Sequence, residues 1–456
     1  MIVSVNPSTG AEIERYPLDR PDDIEHKLRS ATLAQQAWRM QPIHERCALL
    51  KAVAAVLRRH QARFAAMITA EMGKPIAEAA AEIEKSAWTC EFYAESAPAF
   101  LADLRVPSSA ADSRVVFDPL GVVLAVMPWN YPFWQFIRFA APALAAGNAA
   151  LLKHANNVPQ CALALADVFR EAGAPKGLVT TLMIEALDVA GVLADARVAA
   201  VTLTGSTAVG KLIAAQAGSL MKKQVLELGG SDPFIVLADA DVEAAARMAV
   251  KARFSNTGQS CISAKRFIVE EAVADQFVAA FCAGTRLLKV GDPMDRHTTI
   301  GPLARANLRS DLHSQVERSV DAGAVIVLGG RPLDGPGFYY APTILDRVTP
   351  PMAAAVEETF GPAAAVIRVS SAEQAIEVAN ATEFGLGAAL WTNDLAGAHI
   401  LSRQIEAGAV FVNGLVASDP RLPFGGVKQS GYGRELGEFG IREFTNIKTV
   451  WVGPTH

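Results

Sequence analysis

The sequence predicts an α/β protein with two doubly wound domains. From residue 121 onwards, short apolar runs of strand length alternate with segments of helical periodicity, the pattern of repeated β-α-β units. A second series of such units starts after Cys261. The chain has 456 residues, 51% of them hydrophobic, and is too long for one ordinary core. Doubly wound sheets place their ligand site at the carboxyl ends of the strands.

The first hundred residues are predicted to be mostly helical. Their apolar residues recur at three-and-four spacing with charged residues between them, and the triplet Gly73-Lys74-Pro75 interrupts the pattern. The predicted helices of this part cover residues 22–38, 44–72 and 76–100. We expect these helices to form a scaffold for the strands that follow.

The rest of the chain alternates between predicted strands and helices. Further helices are expected at residues 159–172, 211–217 and 273–288. The expected strands cover residues 113–119, 121–127, 149–152, 178–184, 198–203, 225–228, 234–237, 267–269, 325–328, 363–369, 410–412 and 448–452. The last of these strands follows both series and belongs to neither.

Charge and cysteine usage exclude several classes of function. Lys and Arg number 42 against 47 Asp and Glu, a formal net charge of −5, so no basic field recruits nucleic acid or an acidic membrane. The five cysteines are scattered and form no C-x-x-C pair, and the histidines have no metal-ligand spacing, so we expect neither disulfides nor a metal. The N-terminus lacks the pattern of a signal peptide, and Arg138 and Pro142 interrupt the apolar stretch 133–152. These features predict a soluble cytoplasmic enzyme.

Cys261 is the first candidate for a catalytic residue. It follows a polar turn that contains Gly258 and precedes the apolar run 267–269, so its sulfur is expected where backbone amides are free. Free N–H groups lower the pKa of a thiol and hold the oxyanion that forms when sulfur adds to a carbonyl. The alternative is a buried, inert cysteine.

The segment from Gly205 to Lys211 is similar to a phosphate-binding loop but departs from it. Leu212 stands where a Ser or Thr would bind magnesium, which argues against a nucleotide triphosphatase. A strand, a Gly-Ser turn and a helix N-terminus still form an anion site suited to the pyrophosphate of a dinucleotide. An ordinary β-α turn is the alternative. The G-x-G-x-x-G fingerprint of a standard Rossmann domain is absent.

Five blocks of sequence together resemble the aldehyde dehydrogenase superfamily. They occur in the order of that family, and the resemblance extends from about Asn6 to Val452. The blocks are Pro128-Trp129-Asn130, Leu226-Glu227-Leu228-Gly229-Gly230, Gly258-Gln259-Ser260-Cys261, Glu357-Glu358-Thr359-Phe360-Gly361-Pro362 and Pro423-Phe424-Gly425-Gly426-Val427-Lys428-Gln429-Ser430-Gly431. One block would be weak, whereas five in order are specific.

The resemblance implies a domain organisation and an assembly. An NAD(P)-binding domain is expected at residues 1–103 and 123–229, and a catalytic domain at 230–422. A small oligomerisation β-hairpin is expected from residues 104–122 and 441–456. Members of the family usually assemble as dimers or tetramers, so we expect a homo-oligomer.

The resemblance also assigns catalytic roles. Cys261 as thiolate would attack the aldehyde carbon, and the Asn130 amide with the Cys261 backbone N–H would hold the oxyanion. Hydride would then leave to the nicotinamide. Glu227 matches the general base that activates water for hydrolysis of the thioester. A turn residue for Asn130 and a charged strand-edge residue for Glu227 are the alternatives when each is considered alone.

Cofactor contacts are implied in the same way. The family frame assigns these contacts to Trp129, Lys153, Asn156, Gly205, Ser206, Glu358 and Phe360. Many members that prefer NAD have a glutamate three residues after the lysine, where it chelates the ribose hydroxyls. Asn156, the neutral residue at this position, would not repel a 2′-phosphate, and Lys153 could form an ion pair with the phosphate. We therefore expect NADP, with NAD as the alternative.

Within the superfamily, the chain is most similar to bacterial succinate-semialdehyde dehydrogenases. Arg138 matches a basic position of the substrate channel, where a guanidinium would hold the distal carboxylate of the substrate. Ser260 and Ser418 would assist it. Ser255 replaces a second arginine of better-known members, and Ser263 replaces a cysteine that forms a regulatory disulfide in some relatives. A surface arginine is the alternative for Arg138.

The resulting hypothesis is the oxidation of succinate semialdehyde to succinate. Glutarate semialdehyde and neutral aliphatic aldehydes are alternative substrates. A non-catalytic structural protein on the same fold is an alternative of another class, but such a protein would need none of the three catalytic residues. A coenzyme A-acylating enzyme is a further alternative, against which Glu227 argues because it activates water rather than a thiol.

Overall fold

A computed structural model gives the fold and describes residues 1–453. The last three residues of the predicted oligomerisation segment, 454–456, lie outside the described residues. The helices, numbered in chain order, are α1 Pro21–Trp38, α2 Ile43–Arg59, α3 Gln61–Met72, α4 Ile76–Phe100, α5 Trp134–Ala145, α6 Pro159–Glu171, α7 Val189–Ala194, α8 Thr207–Ser219, α9 Val242–Phe254, α10 Glu271–Thr285, α11 Ala306–Asp321, α12 Ala353–Val356, α13 Ala372–Asn380, α14 Leu395–Ser402 and α15 Gly437–Glu443. Among these helices of residues 1–453, none is both long enough and apolar enough to cross a lipid bilayer.

The strands form two large sheets and three small ones. The strands are β1 Ile2–Val5, β2 Glu12–Tyr16, β3 Leu104–Arg105, β4 Asp112–Pro119, β5 Val122–Met127, β6 Ala149–His154, β7 Val179–Thr181, β8 Val198–Thr204, β9 Lys223–Glu227, β10 Pro233–Val236, β11 Arg266–Glu270, β12 Val325–Leu328, β13 Thr343–Asp346, β14 Ala363–Val369, β15 Phe384–Gly385, β16 Gly387–Trp391, β17 Ala409–Val412, β18 Val427–Lys428, β19 Gly431–Tyr432 and β20 Thr445–Val452. The mixed α/β class with two doubly wound sheets confirms the fold prediction.

The first large sheet has the order β19-β9-β8-β5-β6-β7, and its five strands from β9 to β7 are parallel. The chain starts in the centre at β5, winds outwards through β6 and β7, and returns to the other side at β8. The switch point therefore lies between β5 and β8, where a ligand crevice is expected at the carboxyl ends. The short strand β19 returns late in the chain and pairs antiparallel with β9.

The second large sheet has the order β12-β13-β14-β11-β10-β16-β17. All neighbouring pairs except β12 with β13 are parallel. Successive side chains of a strand point to opposite faces, so each strand contributes to two cores. Phe234 and Val236 of β10 pack on one face, whereas Ile235 packs on the other. Burial on both faces explains the continuous apolar runs in the sequence.

The carboxyl edge of the first large sheet faces the amino edge of the second. Side chains that follow β5, β8 and β9 at the carboxyl edge of the first sheet face segments that precede β11 and β14 at the amino edge of the second. The expectation that the ligand site lies at the carboxyl ends of the strands therefore holds only for the first sheet. The second sheet contributes through the loops that enter its strands.

A third sheet is formed by β20, β4 and β3. Strand β20 pairs antiparallel with β4 along its whole length, from Thr445 opposite Pro119 to Val452 opposite Asp112. It carries the exposed apolar side chains of Ile447, Val450 and Trp451. These strands lie in the segments predicted for oligomerisation.

Several elements differ from the predictions. The helix expected over residues 44–72 is divided at His60, whose ring contacts Glu171 of α6 at 3.0 Å and whose backbone leaves the helical region. The strand expected over 178–184 is reduced to β7, because only three residues pair with β6 at the edge of the sheet. The hairpin of β1 and β2, strands β13 and β16, and helices α9 and α11 were not predicted.

Candidate active site

Cys261 lies in a loop whose conformation is unusual. The two residues that precede Gly258 adopt left-handed backbone angles: φ is 53° at Asn256 and 55° at Thr257. Such angles cost about 1–3 kcal/mol each and persist only where the surroundings impose them. The Asn256 amide donates hydrogen bonds to the backbone carbonyls of Asn130 (3.0 Å) and Gln259 (3.1 Å). The strained turn therefore holds the loop of the candidate nucleophile Cys261, the nucleophile loop, against the first sheet.

Gly258 is required by this turn for two reasons. Its φ is 71°, and a Cβ atom at this position would lie 2.3 Å from the carbonyl oxygen of Gly361. No other residue type can occupy that space without displacing the backbone. The glycine of the cysteine motif is therefore explained by close packing of two backbone segments.

Lys265 organises the carbonyl groups around the nucleophile. Its buried ammonium group donates to the backbone oxygens of Ser260 (3.1 Å), Cys261 (2.7 Å) and Ser263 (3.0 Å). Burial raises the pKa of the Cys261 thiol to about 12, although the charge of Lys265 acts in the opposite direction. A thiol with a raised pKa must lose its proton before it can react.

Asn130 lies three residues after the end of β5 and is buried. Its side-chain nitrogen donates to the carbonyl oxygen of Gln259 at 3.0 Å, two residues before Cys261. An amide nitrogen has two hydrogens, so one donor remains for a ligand beside the nucleophile. Within residues 1–453, the backbone N–H of Cys261 has no hydrogen-bond partner either. Two donors of the kind needed for an oxyanion are thus available.

Glu227 is the last residue of β9 and is 2% exposed. Neither carboxyl oxygen has a hydrogen-bond partner within the described part of the chain. Burial is the main cause that raises the pKa of Glu227 to about 8, and the nearby charge of Glu435 is the second. Gly425 leaves room for the carboxyl, since a Cβ atom there would lie 2.8 Å from its Oε1. The group is therefore a buried acid with free oxygens, suited to exchange protons near neutral pH.

Cys261 lies at the junction of two cavities. The smaller cavity has a volume of about 230 Å³ and the larger about 410 Å³, and Cys261 and Gln135 line both. The smaller cavity is also lined by Trp129, Asn130, Gly205, Ser206, Glu358 and Phe360. The larger cavity is also lined by Lys85, Trp134, Arg138, Ser260, Ser418 and Phe424. Two ligands can therefore approach one sulfur atom from two sides.

The smaller cavity combines a helix N-terminus with a carboxylate and aromatic rings. Ser206 caps α8, and its side chain accepts from the Val209 N–H at 3.4 Å. Glu358 accepts from the Gly230 N–H at 3.0 Å, which directs its carboxyl to this cavity. The Phe360 and Trp129 rings meet edge to face, with centroids 5.7 Å apart. An anion at the helix, hydroxyls at the carboxylate and a flat ring near the sulfur would all find partners.

Arg138 of α5 lies in the larger cavity but is not a free cation. It is 3% exposed and forms an ion pair with Glu435. The guanidinium also lies 3.4 Å from the Thr204 hydroxyl and 4.9 Å above the Phe424 ring. The alternative of a surface arginine is therefore wrong, but the charge of Arg138 is already compensated within the protein.

Comparison with known proteins agrees with this geometry. The model of the aldehyde dehydrogenase family matches residues 1–450. The chain belongs to the aldehyde dehydrogenase family. This finding confirms the resemblance of the five sequence blocks.

Relatives of this aldehyde dehydrogenase match it over nearly its full length. A probable NADP(+) succinate-semialdehyde dehydrogenase of Synechocystis sp. is 49% identical and covers 99% of both chains. The NAD(P)+ succinate semialdehyde dehydrogenase Sad of Escherichia coli is 48% identical, with coverage of 98% of this chain and 97% of its own. The crystal structure of succinic semialdehyde dehydrogenase from Streptococcus pyogenes in complex with NADP+ has a TM-score of 0.97, with 37% identity and full coverage of both chains.

Two predicted cofactor residues of the aldehyde dehydrogenase, Lys153 and Asn156, are absent from the described walls of the smaller cavity. They lie at the carboxyl end of β6, next to β5. The Lys153 ammonium donates to the Asn156 side-chain oxygen at 2.8 Å, and the Asn156 amide donates to Glu185 at 2.7 Å. Burial lowers the pKa of Lys153 to about 8. A carboxylate beside these two residues was not foreseen from the sequence.

The sequence did not indicate three other residues of the aldehyde dehydrogenase site. Asn256 and Lys265 shape the nucleophile loop, and Lys85 lines the larger cavity. Asn256 and Lys265 flank the cysteine motif, so their position was the available signal. Lys85 lies in α4, where a lysine between apolar residues is the usual pattern of a solvated helix face. Only the packing of α4 against the cavity distinguishes it.

Proposed function

We propose that this aldehyde dehydrogenase oxidises succinate semialdehyde to succinate and uses NADP+ in preference to NAD+. The observation that carries the proposal is the position of Cys261 between the two cavities, one of which contains cationic side chains. The lysine and arginine side chains in the larger cavity suit an aldehyde that carries a carboxylate. The names of the Synechocystis and Escherichia coli relatives support this substrate.

The carbon–sulfur bond forms when the Cys261 sulfur adds to the aldehyde carbon. The sulfur reacts as the thiolate, after its proton has passed to solvent water in the cavities. The carbonyl oxygen becomes an oxyanion, for which the free hydrogen of the Asn130 amide and the Cys261 N–H are the donors. Donors that are already positioned stabilise such charge by several kcal/mol, about 2.7–4 for a single donor in a protease.

The residues of the smaller cavity fit a nicotinamide dinucleotide. Its pyrophosphate would lie at Gly205 and Ser206, its ribose hydroxyls at Glu358, and its ring against Phe360. When bound, the dinucleotide accepts the hydride of the aldehyde carbon. Glu227 then removes a proton from water, which attacks the thioester, breaks the carbon–sulfur bond and releases the carboxylate with Cys261 restored.

Support for NADP+ comes from Lys153 and Asn156. An amide at residue 156 accepts a 2′-phosphate without charge repulsion, and the nearby ammonium attracts it. Glu185 opposes this attraction, since its carboxylate is hydrogen-bonded to Asn156. Because Glu185 reduces the attraction for the 2′-phosphate, the preference for NADP+ is limited and NAD+ is expected as a second cofactor.

The proposal is tested by steady-state kinetics with succinate semialdehyde and butanal, each with NADP+ and NAD+. We expect the semialdehyde to be preferred at least about tenfold in kcat/KM, which corresponds to about 1.4 kcal/mol of transition-state binding. Cys261→Ala should abolish formation of NADPH. Absence of aldehyde-dependent NADPH formation in the wild type would rule out the activity.

We also propose a cytoplasmic homo-oligomer, a dimer or a tetramer. The exposed apolar side chains of β20 support an interface there, and the five free cysteines suit a reducing compartment. Light scattering of the wild type and of Trp451→Glu tests the interface. A monomeric wild type would contradict the proposal, and a variant of unchanged size would place the interface elsewhere.

A further inference from the structure

We propose that Lys85 and Ser418 form the site that binds the distal carboxylate of the substrate, whereas Arg138 acts on the reaction through its ion pair beside Glu227. The inference rests on the proposed function, because it requires a substrate with a carboxylate. It assigns specificity to a lysine of α4 that the sequence patterns did not single out. Four observations carry it.

The first observation is that Lys85 is a cation without a carboxylate partner. Within residues 1–453, no carboxylate oxygen lies within 4 Å of its ammonium nitrogen, although its side chain lines the larger cavity with Cys261. The two acidic groups whose charges act on Lys85 are already engaged. Glu82 is paired with Lys74, and Asp419 with Arg421. A partly buried cation of this kind is stabilised when an anion binds beside it.

The second observation concerns hydrogen-bond donors. The Lys85 ammonium donates one hydrogen to the Ser418 hydroxyl oxygen at 2.8 Å, which is its only hydrogen bond within the described residues. Two of its three donors are therefore available. The Ser418 oxygen accepts this bond, so its own O–H is free to donate to a ligand. An ammonium and a hydroxyl side by side match the two oxygens of a carboxylate.

The third observation is the position of Lys85 over an aromatic ring. Its nitrogen lies 4.2 Å from the centroid of the Trp134 ring, within the range of a cation–π contact. Trp134 lines the same cavity. The contact and the Ser418 hydrogen bond hold the flexible side chain from two directions. The ammonium is thus positioned before a ligand arrives, which lowers the entropy cost of binding.

The fourth observation is the state of Arg138. Its guanidinium is paired with Glu435, and that pair lies beside Glu227. Removal of Arg138 therefore disturbs Glu227, and through it the reaction of every aldehyde. Removal of Lys85 disturbs no ion pair of the described chain, so its effect is expected to depend on the charge of the substrate.

The test compares Lys85→Met with Lys51→Met, a control that removes a lysine from the exposed face of α2. For each protein, kcat/KM is measured with succinate semialdehyde and with butanal, and the ratio of the two is taken as the preference. We expect Lys85→Met to lose at least about tenfold of the preference, mainly through a higher KM for the semialdehyde, because the carboxylate is bound equally in ground and transition states. Lys51→Met should keep the wild-type ratio.

Two further variants separate the contributions within the cavity. Ser418→Ala, which keeps the ammonium, should lose less of the preference than Lys85→Met. Arg138→Met should lower kcat/KM for both aldehydes to a similar degree. As a readout independent of turnover, succinate binding measured by calorimetry should weaken at least about tenfold in Lys85→Met.

The possible failures are distinct. If the wild type has no preference for the semialdehyde, the proposed function is wrong and this inference with it. A second failure is that the wild type prefers the semialdehyde but Lys85→Met keeps that preference and binds succinate as the wild type does. In that case the proposed function stands and the role of Lys85 is wrong. If Arg138→Met alone loses the preference, the carboxylate binds at Arg138 instead.

Discussion

Arg138 and Glu435 form a buried ion pair beside the carboxyl group of Glu227. The pair links the wall of the larger cavity to the buried carboxyl group of Glu227. Burial raises the pKa of Glu227, the negative charge of Glu435 raises it further, and the positive charge of Arg138 lowers it. The acid strength of Glu227 therefore depends on two side chains that come from α5 and from the C-terminal segment.

Substitutions in this pair should shift the pH dependence of turnover in opposite directions. In Arg138→Met, the pKa of Glu227 rises because a positive charge is lost, so the ascending limb of kcat should move to higher pH. In Glu435→Gln, a negative charge is lost, and the limb should move to lower pH. The measurement is kcat against pH across the neutral and alkaline range. Shifts in the same direction would show that the pair does not control Glu227.

Replacement of Glu227 should separate the two halves of the reaction. Glu227→Gln keeps the size of the side chain but removes the base, so hydrolysis should slow by about 10²- to 10⁴-fold. A single rapid burst of NADPH should precede slow steady turnover, because the thioester accumulates. In the wild type, hydrolysis should rise with pH through about 8 as Glu227 loses its proton. Stopped-flow absorbance detects the burst, and a variant with neither burst nor turnover would indicate that Glu227 acts before hydride transfer.

Gly258→Ala should destabilise the protein and inactivate it. The left-handed backbone alone costs about 1–2 kcal/mol for an alanine. The new Cβ atom would also meet the Gly361 carbonyl at 2.3 Å. A clash of this kind adds about 1–3 kcal/mol in a packed core. Gly10→Ala is the matched control, since its φ of 74° is similar but no atom lies within 4 Å of the added carbon.

Urea unfolding gives the free energy of unfolding of each variant. We expect Gly10→Ala to lose only the backbone contribution and to retain activity. Gly258→Ala should lose more stability and should lose turnover, because the nucleophile loop moves. Equal losses in the two variants would mean that the backbone contact at Gly361 has no energetic importance.

Asn156→Glu should reverse the cofactor preference. The introduced carboxylate repels a 2′-phosphate and can accept hydrogen bonds from ribose hydroxyls. We expect kcat/KM for NADP+ to fall at least about tenfold, with a smaller change for NAD+. Asn156→Gln is the control for length without charge. A similar loss of NADP+ use in both variants would show that the shape of residue 156 matters and its charge does not.

The candidate catalytic residues could be proposed from the sequence because they lie in contiguous blocks. The cysteine motif, Glu227 and Asn130 each stand beside a strand end that the apolar pattern predicted, and the structure places their blocks around one junction. Most strands of the two large sheets were predicted from their apolar runs, although two fully buried strands were missed. Strands β13 and β16 were not predicted, and β7 was predicted too long, because pairing with neighbours decides the extent of a short strand.

The sequence by itself determined the α/β class, the family and the order of the motifs, since these depend on local periodicity and on residues close together in the chain. Only the tertiary structure decided which charges meet. Arg138 is paired with Glu435, 297 residues further on, whereas Lys85 is left with donors for a ligand, and Glu227 becomes a weak acid through burial. Electrostatic interactions act through space between elements that packing brings together, so no pattern within one segment could reveal them.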